Sequence, residues 1–377
     1  MNKKTLYKIH KWAGLTLGVF LFLLGVSGVS ITFREELLPM SYPELFDITP
    51  ASEFLPTHKL YQSALDFKSE SQEITNIYSS HHADEAYMLM IKDSEKTFPL
   101  IWTINPYTGQ ILGEISMIKN FYAVMLMIHT NFLAGKMGSY FVGLLGLILS
   151  FFIISGLIIF TPKNQKLRRY LSLKTLKFST QKFHHQLGVI LGPLLLISAL
   201  SGMFIVFDIP YYLARAFNAP PRIEEAVQAG QCNYQEQKQV LMGMTPEIEN
   251  KLVSVHFCTP KNSLMKITYG KTEKDFLDGY VRKIIDPKFN HLLQVFDSQV
   301  DPKAWNLKRL LVYPIHTGQY FGLLGRIINF VLGLALSLLF VTGIRLSIKR
   351  AGIKLFSKDR SGLPAVDHEF LPSQNVD

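Results

Sequence analysis

Cysteine is scarce in this sequence of 377 residues, which contains only Cys232 and Cys258. No Cys-x-x-Cys pair occurs, so the sequence supports neither a thiol-redox motif nor a zinc knuckle. It also lacks His-Glu-x-x-His, Gly-x-Gly-x-x-Gly and a P-loop, which removes the motif basis for a membrane zinc protease or a nucleotide site. Both cysteines fall in one segment that we place outside the cytoplasm, and the sequence leaves open whether they form a disulfide.

Charged residues are also few in this sequence. Only 18% of the residues are charged, 48% are hydrophobic, and the formal net charge is +10. This composition fits membrane spans combined with soluble parts. The basic residues flank apolar runs instead of forming a separate patch. We therefore predict contact with lipid membrane and no nucleic-acid partner, and we attribute the positive excess to cytoplasmic loops.

Four long apolar runs, almost free of charge, are the main feature present. The first would reach roughly 33 Å as a helix, which is enough to cross a bilayer core. It is too long for a cleaved signal peptide and lacks an Ala-x-Ala-like end, so we predict an uncleaved anchor. The four predicted spans are residues 12–33, 139–160, 185–207 and 327–346.

Basic clusters predict the orientation of these spans. They precede the first run, fill the link between the second and third, and follow the fourth. With four spans the clusters share one side of the membrane, which the positive-inside rule makes the cytoplasm, together with both termini. The predicted parts are 1–33 (N-terminus and first span), 34–138 (first outer domain), 139–160 (second span), 161–184 (basic loop), 185–207 (third span), 208–326 (second outer domain), 327–346 (fourth span) and 347–377 (cytoplasmic tail).

The sequence repeats itself, and histidines mark the repeat. His10 aligns with His184 at an offset of 174, and His129 aligns with His316 at an offset of 187. We therefore predict an internal duplication, in which each half is a helix, an outer domain and a returning helix. All four spans then pack into one bundle, because polar and glycine-rich helix faces need partners in lipid.

The paired histidines are candidate ligands of haem iron. Glycines follow His10 and His184 on one helical stripe, and a flat macrocycle needs such a side-chain-free strip beside a coordinating imidazole. His185 points about 100° away from His184, so either a ligand or a hydrogen-bonding role is open to it. The alternative reading is that the glycines only pack helices and the histidines only anchor the interface. The stripes are Gly14 and Gly18 after His10, and Gly188 and Gly192 after His184.

Several segments resemble the PepSY-associated transmembrane proteins. They are YKIHKWAGLTLGVFLFLLGVSG, NPYTGQILGE, MIHTNF and FHHQLGVILGPLLLISALSG, and the likeness covers about residues 4–350. Some members of that family are inner-membrane ferric-siderophore reductases with two b-type haems, linked to bacterial iron uptake. The resemblance implies an α-helical membrane protein with a four-helix transmembrane bundle and two α+β PepSY-like periplasmic domains. It also implies one haem held by His10 and His184 on the cytoplasmic side and one held by His129 and His316 on the periplasmic side.

The predicted function is electron transfer across the bacterial inner membrane. An electron donor on the cytoplasmic or quinone side would reduce the protein, which would reduce the Fe(III) of a ferric siderophore in the periplasm. Two alternatives stay open. One is a haem-free PepSY-domain sensor or regulator that binds a periplasmic partner, and the other is a haem-linked quinone oxidoreductase.

Overall fold

The computed structural model describes residues 2–80, 82–160, 180–216, 233–260, 263–271, 279–298 and 307–350. Most of the basic loop predicted at 161–184 and most of the tail predicted at 347–377 lie outside these residues. Cys258 is disulfide-bonded, and Cys232, the other cysteine of the sequence, lies outside the described residues.

The described helices fall into long apolar ones and short polar ones. Two further turns, Leu307–Val312 and Gln319–Phe321, are π-helical and 3-10 helical. The helices are α1 (Lys3–Thr16), α2 (Gly18–Ile31), α3 (Arg34–Ser41), α4 (Pro43–Phe46), α5 (Thr57–Phe67), α6 (Phe121–Asn131), α7 (Gly135–Phe160), α8 (Thr180–Val206), α9 (Ile209–Ala216), α10 (Tyr234–Met242), α11 (Pro246–Asn250), α12 (Tyr313–Thr317) and α13 (Gly322–Arg350).

Within the described part of the chain, three helical segments are long and apolar enough to cross a membrane, namely Gly135–Phe160, Thr180–Val206 and Gln319–Lys349. They correspond to the second, third and fourth predicted spans and extend them at their N-terminal ends. The first predicted span is not one straight helix. It is divided between α1 and α2, which meet at an angle of 58° and count as a fourth span only if the bent pair crosses as one.

The bend lies at Leu17 and has a local cause. The Thr16 hydroxyl donates to the backbone carbonyls of Trp12 and Ala13, at 3.1 and 3.3 Å, instead of staying out of the helix ladder. Back-bonding of this kind favours a bend, and here Gly18, one residue further on, lowers the cost of a break. A hydrophobicity pattern does not register either effect, so the sequence predicted an unbroken run.

The two predicted outer domains share one sheet. The first contributes β1 (Gln72–Tyr78), β2 (Tyr87–Asp93), β3 (Leu100–Ile104) and β4 (Ile111–Ser116), and the second contributes β5 (Leu252–His256), β6 (Met265–Gly270), β7 (Tyr280–Asp286) and β8 (His291–Asp297). The strand order is β4-β3-β2-β1-β5-β6-β7-β8, and every neighbouring pair is antiparallel. The sheet is continuous because β1 pairs with β5, with Ile77 opposite Val255.

One hydrophobic core covers the middle of this sheet. It combines α5 and β1–β3 from the first half with α10 and β5–β7 from the second. The fully buried Tyr61 ring stacks on Phe257 across the two halves, with ring centroids 4.3 Å apart. The outer segments are therefore packed as one layered unit, and not as two separate domains.

The long helices pack through small residues. A Cβ added to Gly25 in α2 would lie 2.8 Å from the carbonyl oxygen of Gly333 in α13. A Cβ added to Gly146 in α7 would lie 2.9 Å from the carbonyl oxygen of Ala199 in α8. These close backbone approaches hold α2 against α13 and α7 against α8, as is usual where membrane helices associate.

Candidate functional site: two histidine pairs between the halves

His129 and His316 face each other. We call them the outer histidines, and His10 and His184 the inner histidines, after the predicted side of the membrane on which each pair lies. Their ring centroids are 6.2 Å apart, with an angle of 41° between the ring planes. His129 lies near the end of α6, and His316 lies near the end of α12. Each half of the chain therefore supplies one imidazole to this pair.

Tight turns place these two imidazoles. Both short helices end in a left-handed residue, Phe132 (φ 48°) after α6 and Gly318 (φ 83°) after α12. The chain then reverses so closely that a Cβ at Gly138 or Gly325 would overlap a carbonyl oxygen of the turn, at 1.8 and 2.1 Å. Glycine at these two positions lets each spanning helix start directly beside its histidine.

The inner histidines His10 and His184 line one cavity between the helices. Its empty volume is about 1260 Å³, counting the part that opens to the surroundings. Glycine, leucine, isoleucine and phenylalanine residues form most of its wall. The Phe152 ring meets the imidazole of His10 edge-on, with centroids 5.4 Å apart.

The predicted glycine stripes border this inner cavity. Gly14, Gly18, Gly188 and Gly192 all line it. An added Cβ at Gly14 or Gly188 would meet little, with nothing within 4 Å of the first and only Leu339 at 3.9 Å from the second. Gly18 and Gly192 instead lie against Phe340 and Ile153, at 2.5 and 3.3 Å from an added Cβ, so these two also pack helices.

His185 faces the same cavity as His184. Its ring lies 6.3 Å from the His184 ring and 5.3 Å from the Phe160 ring, between centroids. The structure thus places it at the wall of the inner site, and a direct ligand role stays a prediction.

Every one of the four histidines rests on a Ser-Gly or Thr-Gly dipeptide of the facing helix in its own half. We call these dipeptides the Ser/Thr–Gly seats. The hydroxyl oxygen of each seat lies within hydrogen-bond distance of Nδ1 of its histidine. The four contacts are His10 with Ser155 at 2.8 Å, His184 with Thr342 at 2.8 Å, His129 with Ser27 at 3.3 Å and His316 with Ser201 at 3.2 Å.

The glycine of each seat leaves room for the imidazole. A Cβ added there would approach Cε1 of the histidine ring more closely in the outer pair than in the inner pair. The distances are 2.8 Å from Gly202 to His316, 3.1 Å from Gly28 to His129, 3.4 Å from Gly156 to His10 and 3.7 Å from Gly343 to His184. Each imidazole therefore approaches a helix closely, with a hydroxyl beside its Nδ1 on one residue and no side chain in its way on the next.

The sequence analysis missed the hydroxyls of the seats, although they follow the repeat. Ser27 and Ser201 are separated by 174 residues, and Ser155 and Thr342 by 187, which are the offsets of the histidine pairs. That coincidence was the available signal. It was overlooked because serine and threonine in apolar helices commonly bond only their own backbone.

An ion pair ties the outer end of α2 to the start of α13. The Arg326 guanidinium binds the Glu36 carboxylate through both Nη atoms and donates from Nη2 to the carbonyl oxygen of Thr32 at 2.9 Å. It also lies over the Phe33 ring, 4.8 Å from the centroid. The hydrogen bond from Arg326 holds the pKa of Glu36 below its usual value of 4.5. This contact fixes the two halves together beside the outer histidine pair.

The comparison with known families agrees with this arrangement of membrane helices. The sequence matches the PepSY-associated TM region over residues 7–350. No curated protein matches the chain. Since the match takes in both histidine pairs and nearly the whole chain, the protein belongs to the PepSY-associated transmembrane family.

Proposed function

We propose that this protein carries electrons across the bacterial inner membrane through two b-type haems and reduces the Fe(III) of ferric siderophores at the periplasmic face. His10 and His184 would hold the haem on the cytoplasmic side. His129 and His316 would hold the haem on the periplasmic side. The observation that carries the proposal is that His129 and His316 face each other, while His10 and His184 line one cavity, with each pair drawn from both halves of the chain.

The spacing of the outer pair fits a metal ion held between two imidazoles. Two metal–nitrogen bonds of about 2 Å each, plus roughly 1 Å from each nitrogen to its ring centre, add up to about 6 Å. The centroid separation of His129 and His316 is 6.2 Å. Paired neutral imidazoles in an apolar setting are a recognised donor set for electron-transfer haem.

The helices around the pairs have matching roles. Haem, when bound, would supply one-electron chemistry, and the two imidazoles of each pair would hold it. The walls of the inner cavity are mostly apolar, and its glycines leave space along α1, α7, α8 and α13. Each pair consists of one imidazole from each half. The sheet and helix contacts that join the halves therefore also fix the distance between the two imidazoles.

The substrate step follows from the chemistry of ferric chelates. Siderophores bind the hard Fe(III) ion through oxygen donors, and adding one electron lowers the charge of the cation and weakens that grip. The electron is supplied by a donor on the cytoplasmic or quinone side. The positive-inside rule and the basic clusters of the sequence support the orientation in which the outer sheet lies in the periplasm.

The first test is the visible spectrum of protein produced with ample haem. We expect two six-coordinate b-type haems per chain, and His129→Ala or His316→Ala should each remove about half of the haem because one of the two sites loses a ligand. His291→Ala is the matched control, since His291 lies exposed at the start of β8. A colourless protein, or unchanged spectra in both variants, would overturn the haem proposal and favour a haem-free binding role.

The second test concerns the acceptor. Reduced protein is mixed with ferric siderophores in the presence of a chelator that reports Fe(II). We expect reoxidation of the haems together with capture of Fe(II). Reoxidation by quinone but by none of the ferric siderophores would overturn the substrate assignment and leave a quinone oxidoreductase.

A further inference from the structure

The hydroxyl of each Ser/Thr–Gly seat has a second hydrogen-bond partner besides its histidine. Each donates its single hydrogen to a carbonyl oxygen of its own helix one turn earlier. The donations run from Ser27 to Leu23 at 2.7 Å, from Ser155 to Phe152 at 3.1 Å, from Ser201 to Ser198 at 3.0 Å and from Thr342 to Leu338 at 2.7 Å. With the hydroxyl hydrogen on the carbonyl, the hydroxyl oxygen accepts from the histidine, so Nδ1 carries the proton and the Nε2 lone pair is free.

The outer histidines have a second acceptor that confirms this direction. Nδ1 of His129 lies 3.1 Å from the carbonyl oxygen of Leu24, and Nδ1 of His316 lies 3.0 Å from that of Ser198. A carbonyl oxygen has no hydrogen to give, so Nδ1 must be the donor in both contacts.

The inner histidines differ from the outer ones. Nδ1 of His10 hydrogen-bonds the Ser155 hydroxyl and Nδ1 of His184 hydrogen-bonds the Thr342 hydroxyl, both at 2.8 Å. Among the described residues, the seat hydroxyl is the one hydrogen-bond partner of Nδ1 in each case. Removing a seat hydroxyl therefore leaves the two outer histidines with a backbone acceptor and leaves the two inner histidines with none among the described residues.

We propose that Ser155 is a positioning residue that fixes the tautomer of His10 and thereby sets the haem affinity and reduction potential of the inner site. This rests on the proposed function. An acceptor on the far nitrogen orients an imidazole ligand and raises its basicity, which favours the ferric state, and losing such a partner typically costs about 10- to 100-fold in metal affinity.

The test compares three serine variants in the full-length protein. Ser155→Ala should lower the haem affinity of the inner site about 10- to 100-fold. It should also raise the midpoint potential of the haem bound there, because the less basic imidazole favours the ferrous state. Ser27→Ala should lower the haem affinity of the outer site less than Ser155→Ala lowers that of the inner site, since Leu24 still accepts from His129. Ser150→Ala controls for loss of a buried hydroxyl on the same helix, because Ser150 bonds only the Gly146 carbonyl.

Rescue and internal reference separate positioning from folding. Ser155→Thr should restore the inner potential, because threonine already serves at the equivalent position 342. The outer haem signal in Ser155→Ala reports whether the chain folds. If Ser155→Ala matches Ser150→Ala in affinity, potential and electron paramagnetic resonance, the positioning proposal fails while two bound haems still uphold the proposed function.

The tautomer is also measurable without haem. Nitrogen-15 shifts of histidine-labelled protein should show His10 protonated on Nδ1 in the wild type, with that preference lost in Ser155→Ala. If the wild-type protein binds no haem, the proposed function is wrong. The nitrogen-15 shifts would then still test whether Ser155 fixes the tautomer of His10. Equal shifts in both proteins would refute the role of Ser155.

Discussion

Alanine substitutions at the seat glycines should disturb the four histidines in a graded order. The clearest contrast is Gly202→Ala against Gly343→Ala, because the new Cβ would lie 2.8 Å from Cε1 of His316 but 3.7 Å from Cε1 of His184. Carbon atoms pack best at about 3.5–4.0 Å. The His316 ring must therefore retreat by roughly 1 Å, whereas the His184 ring can stay where it is.

His316 cannot retreat freely. Its Nδ1 lies 3.0 Å from the Ser198 carbonyl and 3.2 Å from the Ser201 hydroxyl, and a shift of this size would stretch both contacts beyond hydrogen-bond distance. We expect Gly202→Ala to lower the affinity of the outer site by about 10- to 100-fold, which is the usual effect of disturbing the groups that orient a ligand.

Titration of haem into purified protein measures the effect. Gly202→Ala should retain about one tightly bound haem per chain, and Gly343→Ala should retain two. Gly28→Ala and Gly156→Ala should fall between them, following their distances of 3.1 and 3.4 Å. Two tight haems in Gly202→Ala, or a larger loss in Gly343→Ala, would refute the reasoning from the seats.

Two stability predictions concern contacts between the halves. Glu36→Gln should lower the free energy of unfolding by up to about 1 kcal/mol at neutral pH, since it breaks the half-exposed pair with Arg326. Because the folded-state pKa of Glu36 is depressed below 4.5, this contribution is present above that pH and is lost as the pH falls through the folded-state pKa, so thermal melting of the wild type and the variant should converge in acid. Glu249→Ala should cost about 1 kcal/mol, because Glu249 accepts from the backbone N–H of Thr57 and caps α5 across the halves. Glu247→Ala is its exposed control, and equal melting temperatures of the two variants would show that the cap contributes nothing.

The membrane helices and the histidine pairs were open to prediction from sequence because they leave local or periodic signals. Charge-free runs of about 20 residues mark spans, and the repeat offsets mark which histidines correspond. The turn Asp286–Asn290 illustrates how far such signals reach. It follows a strand of the second half as Asn105–Gly109 follows a strand of the first, and it ends in asparagine where the first turn ends in glycine. Asn290 nevertheless adopts the same left-handed conformation (φ 46°) as Gly109 (φ 74°), which asparagine tolerates.

The continuous sheet and the Ser/Thr–Gly seats could not be predicted in the same way. Pairing of β1 with β5 joins residues such as Ile77 and Val255, and no local pattern indicates that two strands so far apart in sequence will meet. The seats join residues on different helices, such as His10 and Ser155, and depend on the rotation of each helix about its axis. The bend at Leu17 was missed because hydropathy reports composition and not hydrogen bonding.

Each site contains one imidazole from each half of the chain, so dividing the protein between the halves would separate the two imidazoles of every site. A chain cut between α7 and α8 would yield two fragments that each contain two imidazoles and two complete seats, yet neither fragment could grip a porphyrin from both sides. If the histidine pairs hold haem as proposed, haem absorbance would appear only when the fragments reassemble through the pairing of β1 with β5. Haem absorbance in such a split protein would then serve as a direct gauge of how well the two fragments find each other.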